Sequence, residues 1–183
     1  MKKGKIIFLN GVSCSGKTTL AKKLQERLSD PFYSLNLDTF LNMTPEKYFR
    51  TDEERIIANK AATILPYTIR AFSDMGLNTI VEHIFLNIDN LLETCIELLH
   101  EYPVMFVHVT CPFEELRRRV KERIGSDNIE GHEWQLSHLV PENTYDLTID
   151  TSKDECVDMI MELVGYLNRC TAFKTLWAQQ NVM

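Results

Sequence analysis

The octapeptide Gly11-Val12-Ser13-Cys14-Ser15-Gly16-Lys17-Thr18 constrains this chain more than any other segment. Its spacing is G-x-x-x-x-G-K-[ST], and it joins two stretches of different period. Before it, Lys5–Asn10 is a short apolar and β-branched run, the pattern of a buried strand. After it, Leu20, Leu24 and Leu28 recur every four residues, giving a helix from Lys17 to Leu28 with one apolar stripe. Glycines in such a strand-to-helix turn let the backbone curl until successive N–H groups point inward. They do so at a helix N-terminus, where negative charge is favoured. The expected occupant is a polyphosphate held by Gly11, Ser13, Cys14, Ser15 and Gly16, with Thr19 a neighbour. Lys17 is placed to reach the β and γ phosphates, and the Thr18 hydroxyl to meet Mg²⁺. ATP and Mg²⁺ are therefore the expected ligands.

The rest of the chain alternates strand and helix patterns. Further strands are read at Tyr33–Leu37, Asn78–Val81, Val104–Thr110 and Tyr145–Ile149. Helices are read at Glu53–Met75, Asp89–His100, Pro112–Ile124 and Lys153–Asn168, with Pro66 kinking or splitting the first of these. Ser126–Gly131 reads as a polar loop. This alternation implies crossover units and a parallel sheet. The expectation is an α/β P-loop NTPase, a three-layer sandwich with a five-stranded parallel sheet. One domain spans 1–183, with a helical lid over about 112–138 and a closing helix and tail over 153–183. Phe173, Leu176 and Trp177 share one helical face of that tail. They dock either on the core or on a second copy of the chain, which leaves a homo-oligomer open.

Composition narrows the partners. The 183 residues carry a net charge of −6, with acids spread along the chain. That argues against an extended nucleic-acid binder and suits a small anionic ligand held by a few placed cations. The five cysteines show neither a C-x-x-C pair nor histidines at zinc spacing, and read as reduced thiols. No run approaches the ~20 apolar residues of a membrane span. The expected location is cytoplasmic.

The cradle motif alone does not separate kinases from GTPases. A GTPase also carries Asn-Lys-x-Asp for guanine, whereas here Asn59-Lys60 is followed by Ala61-Ala62 within a helix. Phosphoryl transfer needs a metal, positive charge around the migrating group and an oriented acceptor hydroxyl. In a parallel sheet these gather beyond the C-terminal strand ends. Asp38, after the second strand, reads as the general base or as the cap of a following turn. Glu82 closes the third strand and reads as a magnesium partner through water or as a surface carboxylate. In the Pro112–Ile124 helix, Phe113, Leu116, Val120 and Ile124 form the apolar face. Arg119 and Arg123 share one edge of that face, while Arg118 points into solvent. The edge pair either swings over ATP to stabilise transition-state charge or merely snorkels.

Several ordered segments belong together: Phe8-Leu9-Asn10-Gly11, Leu37-Asp38-Thr39-Phe40, and Val81-Glu82-His83-Ile84-Phe85-Leu86. Cys111 follows, with Arg119 and Arg123 downstream, then Gln135, and Tyr145-Asp146 leading to Asp150-Thr151-Ser152. In this set the chain resembles the chloramphenicol phosphotransferase-like family of P-loop kinases from about Lys5 to Asp150. The resemblance implies a five-stranded kinase sheet, an arginine-bearing lid, an aspartate base at Asp38 and adenine beside Asp150–Ser152. It implies transfer of the ATP γ-phosphate to a hydroxyl of a small molecule. Chloramphenicol, a sugar acid, a nucleoside or a nucleotide remain open as acceptors, as does a nucleotide-dependent regulatory module. Three positions depart from the family pattern. His83 replaces a second acid, Ser126 stands near a further lid arginine, and Leu139-Val140 replaces a Val-His pair. Phe40, Tyr48, Phe49 and Phe85 are candidate walls of a pocket for a flat or apolar acceptor.

Overall fold

A computed structural model describes residues 2–87 and 90–181. Five strands, β1 (Ile6–Asn10), β2 (Phe32–Asn36), β3 (Asn78–His83), β4 (Val104–Thr110) and β5 (Leu147–Asp150), form one sheet. The order is β2-β3-β1-β4-β5, and every pairing is parallel. The strand run beside the cradle motif thus becomes the central strand.

The sheet is covered on both faces, and side-chain alternation along the strands sorts the core into two clusters. Ile6 and Phe8 of β1, with Val104 and Phe106 of β4, face one layer. It is built by helices α4 (Leu65–Asp74), α5 (Asn90–Leu99) and α9 (Ala172–Gln180). Ile7 and Leu9, with Met105, Val107 and Val109, face α1 (Lys17–Arg27) and α8 (Cys156–Val164). The helix α6 (Phe113–Ile124) lies over the cradle instead, burying Leu116 and Val120 against Val12.

Some boundaries differ from the sequence reading for physical reasons. The long pattern through Pro66 divides into α3 (Asp52–Ala62) and α4, with Pro66 in the first turn of the second helix, where a missing N–H costs nothing. Asp89 lies outside the described residues. Two short helices escaped the periodicity altogether, α2 (Leu37–Leu41) directly after β2 and α7 (Glu130–His138) beyond α6. The closing helix is shorter than Lys153–Asn168, since α8 ends at Val164 and only a single tight turn follows over Leu167–Arg169.

The tail docks on its own core. Phe173 stacks on Phe8 at 5.1 Å, and Trp177 stacks on His100 at 4.3 Å. Asp146 ties this helix down by accepting the N–H groups of Thr171 and Ala172 with one oxygen and that of Phe106 with the other.

Candidate active site

The strand register builds the site. Leu9 and Asn36 both lie level with Glu82, so the ends of β1, β2 and β3 open onto one cleft. At Gly11 the chain passes so close to β4 that a Cβ there would sit 2.1 Å from the Val109 carbonyl oxygen. Cys14 and Gly16 adopt φ of 62° and 101°, the left-handed turns that curl the loop. Gly16 begins α1 with no side-chain cap, and no acid stands in the first turn. The helix N-terminus therefore presents amides without a side-chain cap among the described residues. The Ser15 hydroxyl is buried and lacks a hydrogen-bond partner among the described residues. An uncapped, acid-free helix start with an orphaned buried hydroxyl fits a bound polyphosphate.

Lys17 folds back onto the loop, its Nζ donating to the carbonyls of Gly11 and Val12, each at 2.8 Å. Burial lowers its pKa to about 8, against the opposing pull of the Glu82 carboxylate. Thr18 Oγ1 donates to Glu82 Oε2 at 2.6 Å, and Ser34 Oγ donates to the other oxygen at 3.2 Å. Glu82 is only 8% exposed. A threonine hydroxyl linked to a buried carboxylate suits Mg²⁺, which keeps several waters and draws other ligands from substrate phosphates. Such a site needs no cage of three or more acid, histidine or cysteine ligands, and none occurs among the described residues.

Asp38 lies in the first turn of α2, but it is not the cap. Asn36 holds that role, its Oδ1 accepting from the Thr39 N–H at 2.9 Å and the Thr39 hydroxyl at 2.8 Å. The Asp38 carboxylate is exposed, makes no side-chain hydrogen bond among the described residues, and lines the cleft.

The two edge arginines of α6 are held differently. Arg119 is pinned, with Nε on Glu115 at 2.7 Å and Nη1 on both Ser15 O at 3.1 Å and Thr151 Oγ1 at 2.8 Å. Thr151 itself donates to Ser15 O at 2.6 Å, so the loop after β5 and α6 close on the same cradle carbonyl. A Cβ at Gly16 would press on both partners, at 3.0 Å from Thr151 Oγ1 and 3.2 Å from Arg119 Nη1. Among the described residues, Arg123 has a single polar contact, with the Cys14 sulfur at 3.9 Å. Arg118 pairs with Glu115 and Glu122 on the solvent side.

One cavity of about 630 Å³ brings together Ser13, Cys14, Gly16, Lys17, Thr18, Thr19, Asp38, Glu82, Arg119 and Arg123. Gly11 and Ser15 lie behind its surface and shape the loop from there. The suggested aromatic walls are elsewhere. Phe85, at 0% exposure, and Phe40, at 6%, belong to the core cluster around Phe8, and the half-buried Tyr48 and Phe49 do not line the cleft. An aromatic near a strand end looks the same in sequence whether it turns to core or cleft. Polar residues line that side instead, among them Asn36 and His83. Sequence reasoning also missed Ser34, the second partner of Glu82, whose only signal was a polar residue in the middle of a strand. Thr151 carried no role of its own beyond its place beside the expected adenine position.

Comparison with known proteins agrees with this geometry. Among solved structures, an unliganded sugar kinase from Janibacter sp. HTCC2649 superposes with a TM-score of 0.66 at 22% identity, covering 92% of this chain and 99% of that one. The APS kinase of Mycobacterium tuberculosis, solved with AMPPNP and APS, gives 0.65 at 16% identity, covering 92% and 99%. A gluconokinase from Sinorhizobium meliloti 1021 gives 0.58 at 18% identity, covering 97% and 98%. These likenesses establish the P-loop kinase fold. No curated protein matches the sequence. The family model of chloramphenicol phosphotransferase-like proteins matches residues 4–165, and the chain belongs to that family.

Proposed function

We propose that this protein is an ATP-dependent kinase, a single domain that moves the γ-phosphoryl group of ATP onto a hydroxyl of a small molecule. The observation that carries the reading is the shared cleft. It places an uncapped phosphate cradle, a hydroxyl–carboxylate pair suited to magnesium, and an uncommitted aspartate within one cavity. The backbone amides at the start of α1, from Gly16 to Thr18, hold the phosphates, and Lys17 leaves its two loop carbonyls to follow the β and γ oxygens. Thr18 and Glu82 would hold Mg²⁺, which when bound neutralises charge developing on the transferred group. Arg119 adds positive charge from a fixed seat, while Arg123, held by one weak contact, is free to approach the terminal phosphate. Asp38 accepts the proton of the acceptor hydroxyl. A pure nucleotide binder has no use for that free carboxylate, which disfavours a regulatory module.

The acceptor side supports a hydroxyl-rich substrate, such as a sugar acid or nucleoside, over a flat apolar one like chloramphenicol. Its lining sets Asn36, Asp38, Glu82 and His83 beside two aliphatic residues, Leu37 and Ile84, while the nearby phenylalanines are committed to the core. The test is incubation with γ-labelled ATP and a panel of sugars, sugar acids, nucleosides and hydroxylated antibiotics, read by mass spectrometry. The reading expects one polyhydroxylated class to gain a phosphoryl group. ADP release with no labelled acceptor would favour a nucleotide-dependent switch instead.

A further inference from the structure

The third residue of the cradle is already engaged by a distant side chain. Gln135 of α7 accepts the Ser13 backbone N–H with its Oε1 at 3.0 Å, across 122 residues of sequence. That N–H belongs to the same peptide unit as the Val12 carbonyl, on which Lys17 Nζ rests at 2.8 Å. One peptide is thus held from both ends, by Gln135 on its donor and, on its acceptor, by Lys17 and more distantly by the Ser15 N–H at 3.2 Å.

The placement of α7 makes the contact more than incidental. No side chain within α7 is buried, so core packing of its own face does not hold it. It is anchored where it begins and ends. Ile129 before it and Leu139 after it join the apolar cluster of Val12, Leu116 and Val120. At its far end the Asn87 N–H donates to His138 O at 2.8 Å, and Leu86 forms an antiparallel bridge with Leu139. These anchors suspend the middle of α7, and Gln135 with it, beside the cradle. Ser13 lines the cavity and Gln135 does not. The glutamine therefore acts through the loop.

We propose that Gln135 is a positioning residue for the end of the cradle that receives the terminal phosphate, an assignment that rests on the kinase reading above. The amides at the start of α1 serve the phosphates nearest the helix. The Val12–Ser13 peptide lies where the Lys17 ammonium now sits, at the γ end. When Lys17 moves onto phosphate, the Val12 carbonyl loses its only side-chain donor among the described residues. The Ser15 N–H, at 3.2 Å, is then the one donor left on that oxygen among the described residues, and a peptide held by so long a bond can rotate its negative oxygen toward an anionic ligand. Gln135 blocks that rotation by keeping the N–H side fixed.

The test uses the full chain. Exchange of the Ser13 amide is followed by nuclear magnetic resonance, and Mg-AMPPNP and Mg-ADP affinities by calorimetry. Comparison is among wild type, Gln135→Ala and Gln135→Glu. Alanine suits an exposed helix, so the first variant folds, and glutamate keeps an accepting oxygen. Loss of one hydrogen bond should speed Ser13 exchange in Gln135→Ala by roughly tenfold, while Gln135→Glu stays protected. Gln135→Ala should lose about three- to tenfold more affinity for Mg-AMPPNP than for Mg-ADP. Unchanged Ser13 exchange in Gln135→Ala, or equal losses for the two nucleotides, overturns the proposal. Wild-type protein that binds neither nucleotide would remove the kinase reading and the γ-phosphate role with it. The exchange result would still decide whether Gln135 holds the amide.

Discussion

The two halves of the cleft are built to different standards. On the nucleotide side, the groups that shape the loop have fixed partners, and the helix-start amides and the Ser15 hydroxyl are left for the ligand. Ser15 O takes two donors, Ser13 N–H is held by Gln135, and Glu82 accepts from Thr18 and Ser34. On the acceptor side, α2 buries only Phe40, Met43 beyond it is 70% exposed, and the Asp38 carboxylate has no side-chain hydrogen bond among the described residues. A cradle for phosphates works best when its dipoles are set before the ligand arrives. A side chain that must take a proton works best uncommitted. The contrast predicts that mutations on the two sides separate binding from transfer.

The largest effect is expected from Lys17→Ala. It removes charge-assisted bonds to two phosphates and should weaken Mg-ATP binding at least about 100-fold by calorimetry. Arg123→Ala should lower turnover by roughly 100-fold with little change in nucleotide affinity, because its free guanidinium is used mainly as charge develops. Asp38→Asn should leave Mg-ATP affinity intact and slow transfer by about 10-fold, since a loose transition state asks little of a base. Equal losses of affinity and turnover in either variant would erase the distinction between the halves.

The pH dependence should belong to the nucleotide side. Phosphate binding needs the ammonium form of Lys17, whose pKa burial lowers to about 8. Affinity should be flat below about pH 8 and fall above it, approaching tenfold per pH unit, with proton uptake on binding in that range. The smallest effect is expected from Thr151→Val, which keeps the shape but loses the bond to Ser15 O. Nucleotide affinity should fall by about three- to tenfold, while the acceptor Michaelis constant stays unchanged.

How much of this was legible in the sequence follows the same division. The cradle, the parallel sheet and the splitting of the helix at Pro66 were readable because each is a local pattern with a local cause. The helix α7 was not, since nine residues with no buried side chain carry no apolar period. Asn36 and Asp38 lie two residues apart and either can cap a helix, so only the geometry of Thr39 shows that Asn36 does. Phe40 and Phe85 misled for a related reason, because burial toward the core leaves no mark that distinguishes it from a pocket wall. The helix α9 lies beyond the span of the family match, yet its Phe173 stacks on the central strand.

The most direct measurement is calorimetric titration of wild type and Asp38→Asn with Mg-AMPPNP in the absence of any acceptor. A prebuilt nucleotide half predicts binding at the same affinity in both proteins. Binding that appears only when an acceptor is added, or that disappears in Asp38→Asn, would contradict it.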